Sequence, residues 1–101
     1  MGKQPQHQSP YGIEAARVEF GRHMGEYRQC SPLTVRAYDR DLRGFVEFLR
    51  EYDSPTDVRE LRREHVQVFA HSLSGRAPAT IRRAVYVVSS FFAFLRRTGI
   101  V

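Results

Sequence analysis

Apolar and polar residues follow one another along the last long stretch of the chain with the period of an α-helix. Between Pro78 and Arg97 the apolar positions form one stripe: Ile81, Ala84, Val85, Val88, Phe91, Phe92 and Leu95. A second face, here called the basic face, recurs at steps of three and four: Arg82, Tyr86, Ser89, Ala93 and Arg96, with Arg83, Ser90 and Arg97 beside it. This helix carries no carboxylate, and burying unpaired arginine is costly. We therefore expect one side on a core and the other facing water or an anionic partner.

The same period predicts three earlier helices. The first extends from about Ile13 to Tyr27, with its apolar stripe at Ile13, Ala16, Phe20, Met24 and Tyr27. The second begins at Ser31-Pro32, an N-cap followed by proline at the first helical position, and extends to about Glu51. Its core candidates are Val35, Tyr38, Leu42, Phe45, Val46 and Leu49. The third extends from about Arg62 to Ser74, with core candidates at Leu61, Val66, Phe69, Ala70 and Leu73.

The remaining segments connect these helices. Residues 55–60 predict a short helical turn, and residues 74–78 predict a loop in which Gly75 follows the third helix. Residues 1–11 read as a polar, disordered lead, and residues 12–101 as the folded domain. No segment alternates with a period of two. The predicted fold class is all-α, a compact bundle of four to five helices.

The net charge of +5 is unevenly distributed along the chain. From Met1 to Glu64, eleven basic residues balance eleven acidic ones. From His65 onward there are five arginines and no acid, so the whole excess lies on and around the last helix. Such clustering is typical of a surface that contacts nucleic acid. Fifteen of the sixteen basic residues are arginine, the side chain suited to bidentate contact with phosphate or guanine.

Several other classes of protein are disfavoured. A single cysteine, Cys30, allows no internal disulfide and favours a reducing compartment, and we expect a soluble, cytoplasmic protein. The most apolar run, residues 84–95, is shorter than the roughly 20 residues that a membrane span requires. The four histidines lack metal-ligand spacing, and no Gly-rich phosphate loop occurs, so no metal and no cofactor are expected.

The order and spacing of the motifs resemble a known family. One half of the match is Ser31-Pro32-x-Thr34-x-x-x-Tyr38-x-x-Asp41-Leu42-x-x-Phe45-x-x-Phe48-Leu49. The other half is Ala79-Thr80-Ile81-Arg82-Arg83, continuing through Ser90-Phe91-Phe92-x-Phe94-Leu95 to Gly99-Ile100. Together they resemble the N-terminal core-binding domain of tyrosine recombinases of the Xer and phage-integrase type, over residues 12–101.

The resemblance implies a SAM-like helical fold whose second and fourth helices lie against duplex DNA. It also implies a C-shaped clamp completed by a C-terminal catalytic domain, which holds the catalytic arginines, lysine, histidines and nucleophilic tyrosine. The chain stops where the interdomain linker would begin, so we expect binding without catalysis. The implied partners are double-stranded DNA, the catalytic domain of the same protein and sister recombinase protomers on DNA.

The candidate DNA-binding residues each have a simpler interpretation. They are Thr34, Arg36, Arg40, Arg43, Thr80, Arg82, Arg83, Tyr86 and Ser90. Arginines 82 and 83 are the best candidates for reading guanine edges, or they form a solvated basic face. Arginines 36, 40 and 43 contact phosphate, or pair with Asp39 and Glu47 along their own helix.

The uncharged candidates are equally open to two interpretations. The two threonines, in the first turns of their helices, donate hydroxyls to phosphate or bond only to backbone. Tyr86 packs on a sugar or base or reaches a phosphate, or has no role. The small Ser90 admits a close approach or serves helix packing. Phe94 lies off the apolar stripe; it is either core or a contact with the catalytic domain or a sister protomer.

The function predicted from the sequence is therefore that of a DNA-binding core-binding domain of a site-specific tyrosine recombinase or integrase. It would clamp duplex DNA with its second and fourth helices. Two alternatives stay open: a helical protein–protein interaction module, and a free-standing DNA-binding protein without a recombinase half. Salt dependence separates the first alternative, because only phosphate contacts weaken steeply with salt.

Overall fold

The computed structural model describes residues 12–26, 28–55 and 57–99 and is helical over most of them. The elements are α1 (Ile13–Glu26), α2 (Pro32–Tyr52), a 3₁₀ turn (Val58–Glu60), α3 (Arg63–Ser72) and α4 (Pro78–Arg97). Within these ranges there is no strand, only an isolated bridge between Gly12 and Asp57. The all-α prediction is confirmed. Tyr27, the predicted lead over residues 1–11 and residues 100–101 lie outside the described residues.

The helix starts follow the local chemistry of the sequence. The Ser31 hydroxyl accepts a hydrogen bond from the Thr34 amide at 3.2 Å, which caps α2 as its Ser-Pro start predicts. Ala77 before α4 supplies no side-chain cap, so that helix begins on Pro78 alone. The third helix is shorter than predicted. It ends at Ser72 because the chain tightens into i→i+3 turns, and Gly75 then takes a φ of +96°.

The core forms where α1, α2 and α4 meet, with one residue from the 3₁₀ turn and one from α3. The buried apolar residues of α4 are Ala84, Val87, Val88, Phe91, Phe94 and Leu95. Those of α2 and α1 are Leu42, Phe45, Val46, Leu49, Ile13, Ala16, Phe20 and Met24. Val58 and Phe69 complete the set. The predicted stripes of α1 and α2 are largely confirmed, and the rings meet mostly edge to face.

Two residues of α4 correct the sequence-based stripe. Val87 and Phe94, which lie beside the predicted stripe, are buried, whereas Ile81, Val85 and Phe92 are only partly buried. The reason is α1, which packs on the flank of α4 that the stripe left open: the Phe94 ring lies 5.5 Å from that of Phe20. Phe94 is therefore part of the core of this domain, and the interpretation as a contact with another domain is wrong.

A buried histidine joins the end of α2 to the start of α3. His65 is 1% exposed, and its Nδ1 accepts a hydrogen bond from the Arg62 amide at 2.9 Å. The proton must then lie on Nε2, which donates to the carboxylate of Asp53 at 2.9 Å. We call this pair of bonds the His65 clasp. It supplies the helix cap that the Arg62 side chain, having no acceptor, cannot supply.

Candidate nucleic-acid interface

The two helices that carry the candidate residues lie side by side. The carboxylate of Asp41 on α2 accepts hydrogen bonds from Arg83 on α4, at 2.7 Å from Nε and 3.3 Å from Nη2. Further along the same contact, the Tyr38 and Tyr86 rings pack edge to face with centroids 6.1 Å apart. Residues 42 positions apart in sequence are thereby brought into one surface.

A groove runs between α2, the end of α3 and the start of α4. Its volume is about 440 Å³, and its lining includes Arg40, Asp41, Arg76, Thr80 and Arg83. We call it the α2–α4 groove. Three of the nine candidate residues therefore share one concave surface, and its lining also includes the acids Glu47 and Glu51. Three arginines and three acids line the groove, so its charges balance, and any preference for an anionic ligand depends on which of these arginines are unpaired.

The arginines of α4 differ in their partners. Arg82 is exposed and forms no ion pair with any described residue, and the same holds for Arg96. Arg83 is 41% exposed and held by Asp41, whose side chain is only 11% exposed. The hydrogen bond from Arg83 to Asp41 raises the pKa of Arg83, so its guanidinium stays charged. The two adjacent arginines therefore present different chemistry to a ligand.

The arginines of α2 also separate into two kinds. Arg43 is paired with Asp39 at 2.9 Å, as the alternative interpretation of the sequence proposed. Arg36 and Arg40 are exposed and have no ion-pair partner in the part of the chain that the structure describes. Glu47, the other acid considered, pairs with Arg50 at 2.9 Å instead. The pairing interpretation thus fits one of the three candidates.

Tyr86 is held in place at the centre of α4. It is 48% exposed, and hydrogen bonds from Arg28 and then Ser90 lower its pKa. Ser90 lies one helical turn after Tyr86 and is partly buried. Arg28, which the sequence did not single out, lies in the connection after α1, where no periodic pattern could have indicated it.

The two candidate threonines occupy different settings. The Thr34 hydroxyl accepts a hydrogen bond from the Ser31 hydroxyl at 3.1 Å, so part of its capacity is already used within the cap. Thr80 is partly buried and lines the α2–α4 groove in the first turn of α4. Free amides at a helix N-terminus favour anions, and this threonine stands at such an end.

Two kinds of site are not found in the described residues. They contain no group of three or more histidine, cysteine, aspartate or glutamate side chains placed to hold a metal ion. Among them there is also no helix long and apolar enough to cross a membrane.

Comparison with known protein families shows to which family this chain belongs. A family model, the phage integrase N-terminal SAM-like domain, matches residues 18–99. The chain belongs to that family. The resemblance that the motifs indicated is confirmed, and so is the SAM-like helical fold. No solved structure matches this SAM-like domain significantly.

Curated relatives of this SAM-like domain are tyrosine recombinases. Tyrosine recombinase XerC of Mesorhizobium japonicum is 34% identical over 88% of this chain and 30% of its own length. XerC of Roseiflexus castenholzii is 40% identical, with coverages of 81% and 26%. XerD of Oceanobacillus iheyensis is 28% identical, with coverages of 87% and 30%. The chain therefore spans less than a third of the length of these relatives.

Proposed function

We propose that this SAM-like domain binds duplex DNA with α2 and α4, as the clamp-forming half of a site-specific tyrosine recombinase. The observation that carries the proposal is the pairing state of its arginines. On α2 and α4 the exposed arginines 36, 40, 82 and 96 have no carboxylate partner among the described residues. Unpaired guanidinium groups are available to phosphates, whereas paired ones have already lost much of their attraction.

The proposed mode of binding assigns two tasks to this surface. Arg36, Arg40 and Arg82 contact backbone phosphates on either side of the α2–α4 groove, and these contacts supply most of the affinity. Tyr86, fixed by Arg28 and Tyr38, packs against sugar or base between them. Catalytic chemistry belongs to a separate domain, and we propose that domain and sister protomers on DNA as the protein partners.

The proposal is tested by titrating the 101-residue chain against a random duplex by fluorescence anisotropy at several salt concentrations. We expect binding that weakens steeply with salt, because each neutralised phosphate releases counterions. The variant Arg82→Ala/Arg83→Ala should bind at least tenfold more weakly, since one such contact is worth about 1–3 kcal/mol. The matched control is Arg22→Ala/Arg50→Ala, which removes two paired arginines and should bind like the parent.

The same titration can refute the proposal. Absence of binding at low salt, or equal loss in the Arg82→Ala/Arg83→Ala variant and the control, would rule out a DNA surface on α4. Circular dichroism of each variant confirms that the helices remain, so a loss of binding can be assigned to the side chains.

One observation favours a second candidate function, the docking of a polypeptide segment. A groove of about 570 Å³ between α3 and the C-terminal half of α4 has apolar residues in its floor and arginines at its rim. The floor includes Leu61, Val66 and Phe92, and the rim includes Arg63 and Arg96. Its chemistry fits a segment that combines apolar side chains with carboxylates. Such docking would respond weakly to salt, in contrast with DNA binding.

A further inference from the structure

The ion pair at the centre of the proposed DNA surface leaves one edge of an arginine unused. Arg83 donates to Asp41 from Nε at 2.7 Å and from Nη2 at 3.3 Å, which are the two nitrogens on the side edge of the guanidinium. A guanidinium has five N–H donors in a rigid plane, so three donors remain. They include the outward pair on Nη1 and Nη2, the edge that forms bidentate bonds end-on.

The Arg83 side chain as a whole remains accessible. The side chain of Arg83 is 41% exposed and that of Asp41 only 11%, so a ligand can contact the arginine more extensively than the carboxylate. Both line the α2–α4 groove, together with Thr80 and Arg40. A ligand that enters this groove therefore meets an arginine whose plane is already set by a carboxylate.

The neighbouring arginine has the opposite properties. Arg82 is exposed and unpaired within the described part of the chain, so its side chain is free to rotate and carries an undiminished charge. A mobile point of positive charge suits phosphate, which demands little orientation. A fixed, charge-compensated fork suits a base edge, because orientation rather than net charge determines a bidentate contact.

We propose that Asp41 is a positioning residue that makes Arg83 the base-reading arginine of this domain, while Arg82 contacts phosphate. The inference rests on the proposed function and refines it. In duplex DNA the acceptor pair that matches an end-on guanidinium is O6 and N7 of guanine in the major groove. The predicted target therefore contains a guanine at the position that Arg83 faces. Asp41 adds discrimination at the expense of non-specific affinity, since it offsets one positive charge on the surface.

The test uses a pool of duplexes with a randomised central segment. The parent chain should enrich guanine at one position at least, and Arg83→Ala should lose that enrichment. Asp41→Asn is close in shape but releases the Arg83 fork and its charge. We expect it to lose the guanine enrichment while binding the unselected pool about threefold to tenfold more tightly, with a salt slope steeper by about one phosphate contact.

Asp39→Asn is the matched control, because Asp39 lies on the same helix and also holds arginines, Arg17 and Arg43. It removes the same charge but should keep the guanine preference. A purely structural role for Asp41 would weaken binding to all sequences alike, and would not steepen the salt slope.

Each outcome decides something. If the parent chain does not bind the pool at low salt, the proposed function fails. If it binds but enriches no guanine, or if Asp41→Asn keeps the enrichment, the inference fails while the proposed function survives. Should Asp41→Asn unfold, Arg83→Lys replaces the test, since lysine keeps the charge without the planar fork. Guanine enrichment retained by Arg83→Lys overturns the inference, and its loss supports it.

Discussion

The arginines of α1 and α2 differ from those of α4 in how far neighbouring carboxylates compensate their charge. On α1 and α2 most of these arginines form ion pairs: Arg17, Arg22, Arg43 and Arg50. On α4, Arg83 pairs with Asp41 of α2, and Arg82 has no ion-pair partner among the described residues. Among the described residues, arginine is therefore mostly compensated on α1 and α2, with Arg36 and Arg40 as exceptions, and mostly uncompensated on α4, with Arg83 as the exception.

Arginine content alone therefore does not indicate a binding surface. Glutamates placed three or four residues from an arginine on the same helix compensate it locally, as Glu19 does for Arg22. Because α4 contains no acid, compensation there can come only from a neighbouring helix. The distribution of carboxylates therefore locates the candidate surface better than the distribution of arginines.

Reversing the charge of one arginine on α4 should change DNA binding more than the same reversal on α1. Arg82→Glu should weaken binding to a random duplex about 100-fold near 0.1 M salt, since it removes one contact and sets a carboxylate against phosphate. Arg22→Glu makes the same change of charge on α1 and should weaken binding less than about threefold, because screening acts over about 10 Å. Anisotropy on the same duplex measures both. Equal losses would mean that net charge, and not a particular surface, drives binding.

A smaller effect is expected from giving α4 the acid that it lacks. Ala93→Glu places a carboxylate three and four residues before Arg96 and Arg97. Binding should weaken about fivefold, roughly 1 kcal/mol, while urea unfolding shows a gain of up to about 0.5 kcal/mol in stability. Ala93→Gln is the control of equal size and should bind like the parent. A weakening by glutamine as large as that by glutamate would point to shape instead of charge.

We expect the smallest change, in thermal stability, from the contact between α4 and α1. Arg97 lies against His23, with Nη2 3.1 Å from the imidazole Nε2. Burial, and then the charges of Arg97 and Arg28, lower the pKa of His23. The unfolded chain therefore takes up the proton first as pH falls, and stability is lost from about pH 6.5 downward.

His23→Gln removes this titration, so its thermal midpoint should fall less between pH 7.5 and pH 5 than that of the parent chain. Circular dichroism melts at the two pH values measure the difference. An identical fall in both proteins would mean that His23 does not couple α1 to the charge of α4.

The helices were predictable because their signals are local. The Ser31-Pro32 start, the proline at the head of α4 and the apolar stripes of α1 and α2 all act within a few residues. The apolar stripe predicted for α4 was too narrow, because it left out Val87 and Phe94. The periodicity of a helix indicates the direction of a single packing partner. Because α4 packs against more than one helix, Phe94 faces α1 from outside the predicted stripe.

The candidate site was predictable in its membership but not in its pairings. The acid-free last third of the sequence pointed to Arg82 and Arg83; Arg83 lies in the α2–α4 contact, and Arg82 is exposed. No pattern in a single sequence predicts the ion pair between Asp41 and Arg83, which are 42 residues apart. None predicts the interaction of Arg28 with Tyr86 either. The sequence presents His65 only as one of four histidines without metal-ligand spacing, because its burial as a hydrogen-bonded cap depends on tertiary packing.

The His65 clasp also bears on the order in which the chain folds. The clasp closes a loop of 12 residues, and the Asp41–Arg83 pair closes one of 42. Closing the shorter loop costs about 1 kcal/mol less chain entropy, and once it is closed only about 30 free residues separate Asp41 from Arg83. We therefore expect the clasp to form before the α2–α4 contact. On this pathway the arginine surface is assembled late, from two helices that a buried histidine has already brought nearer to each other.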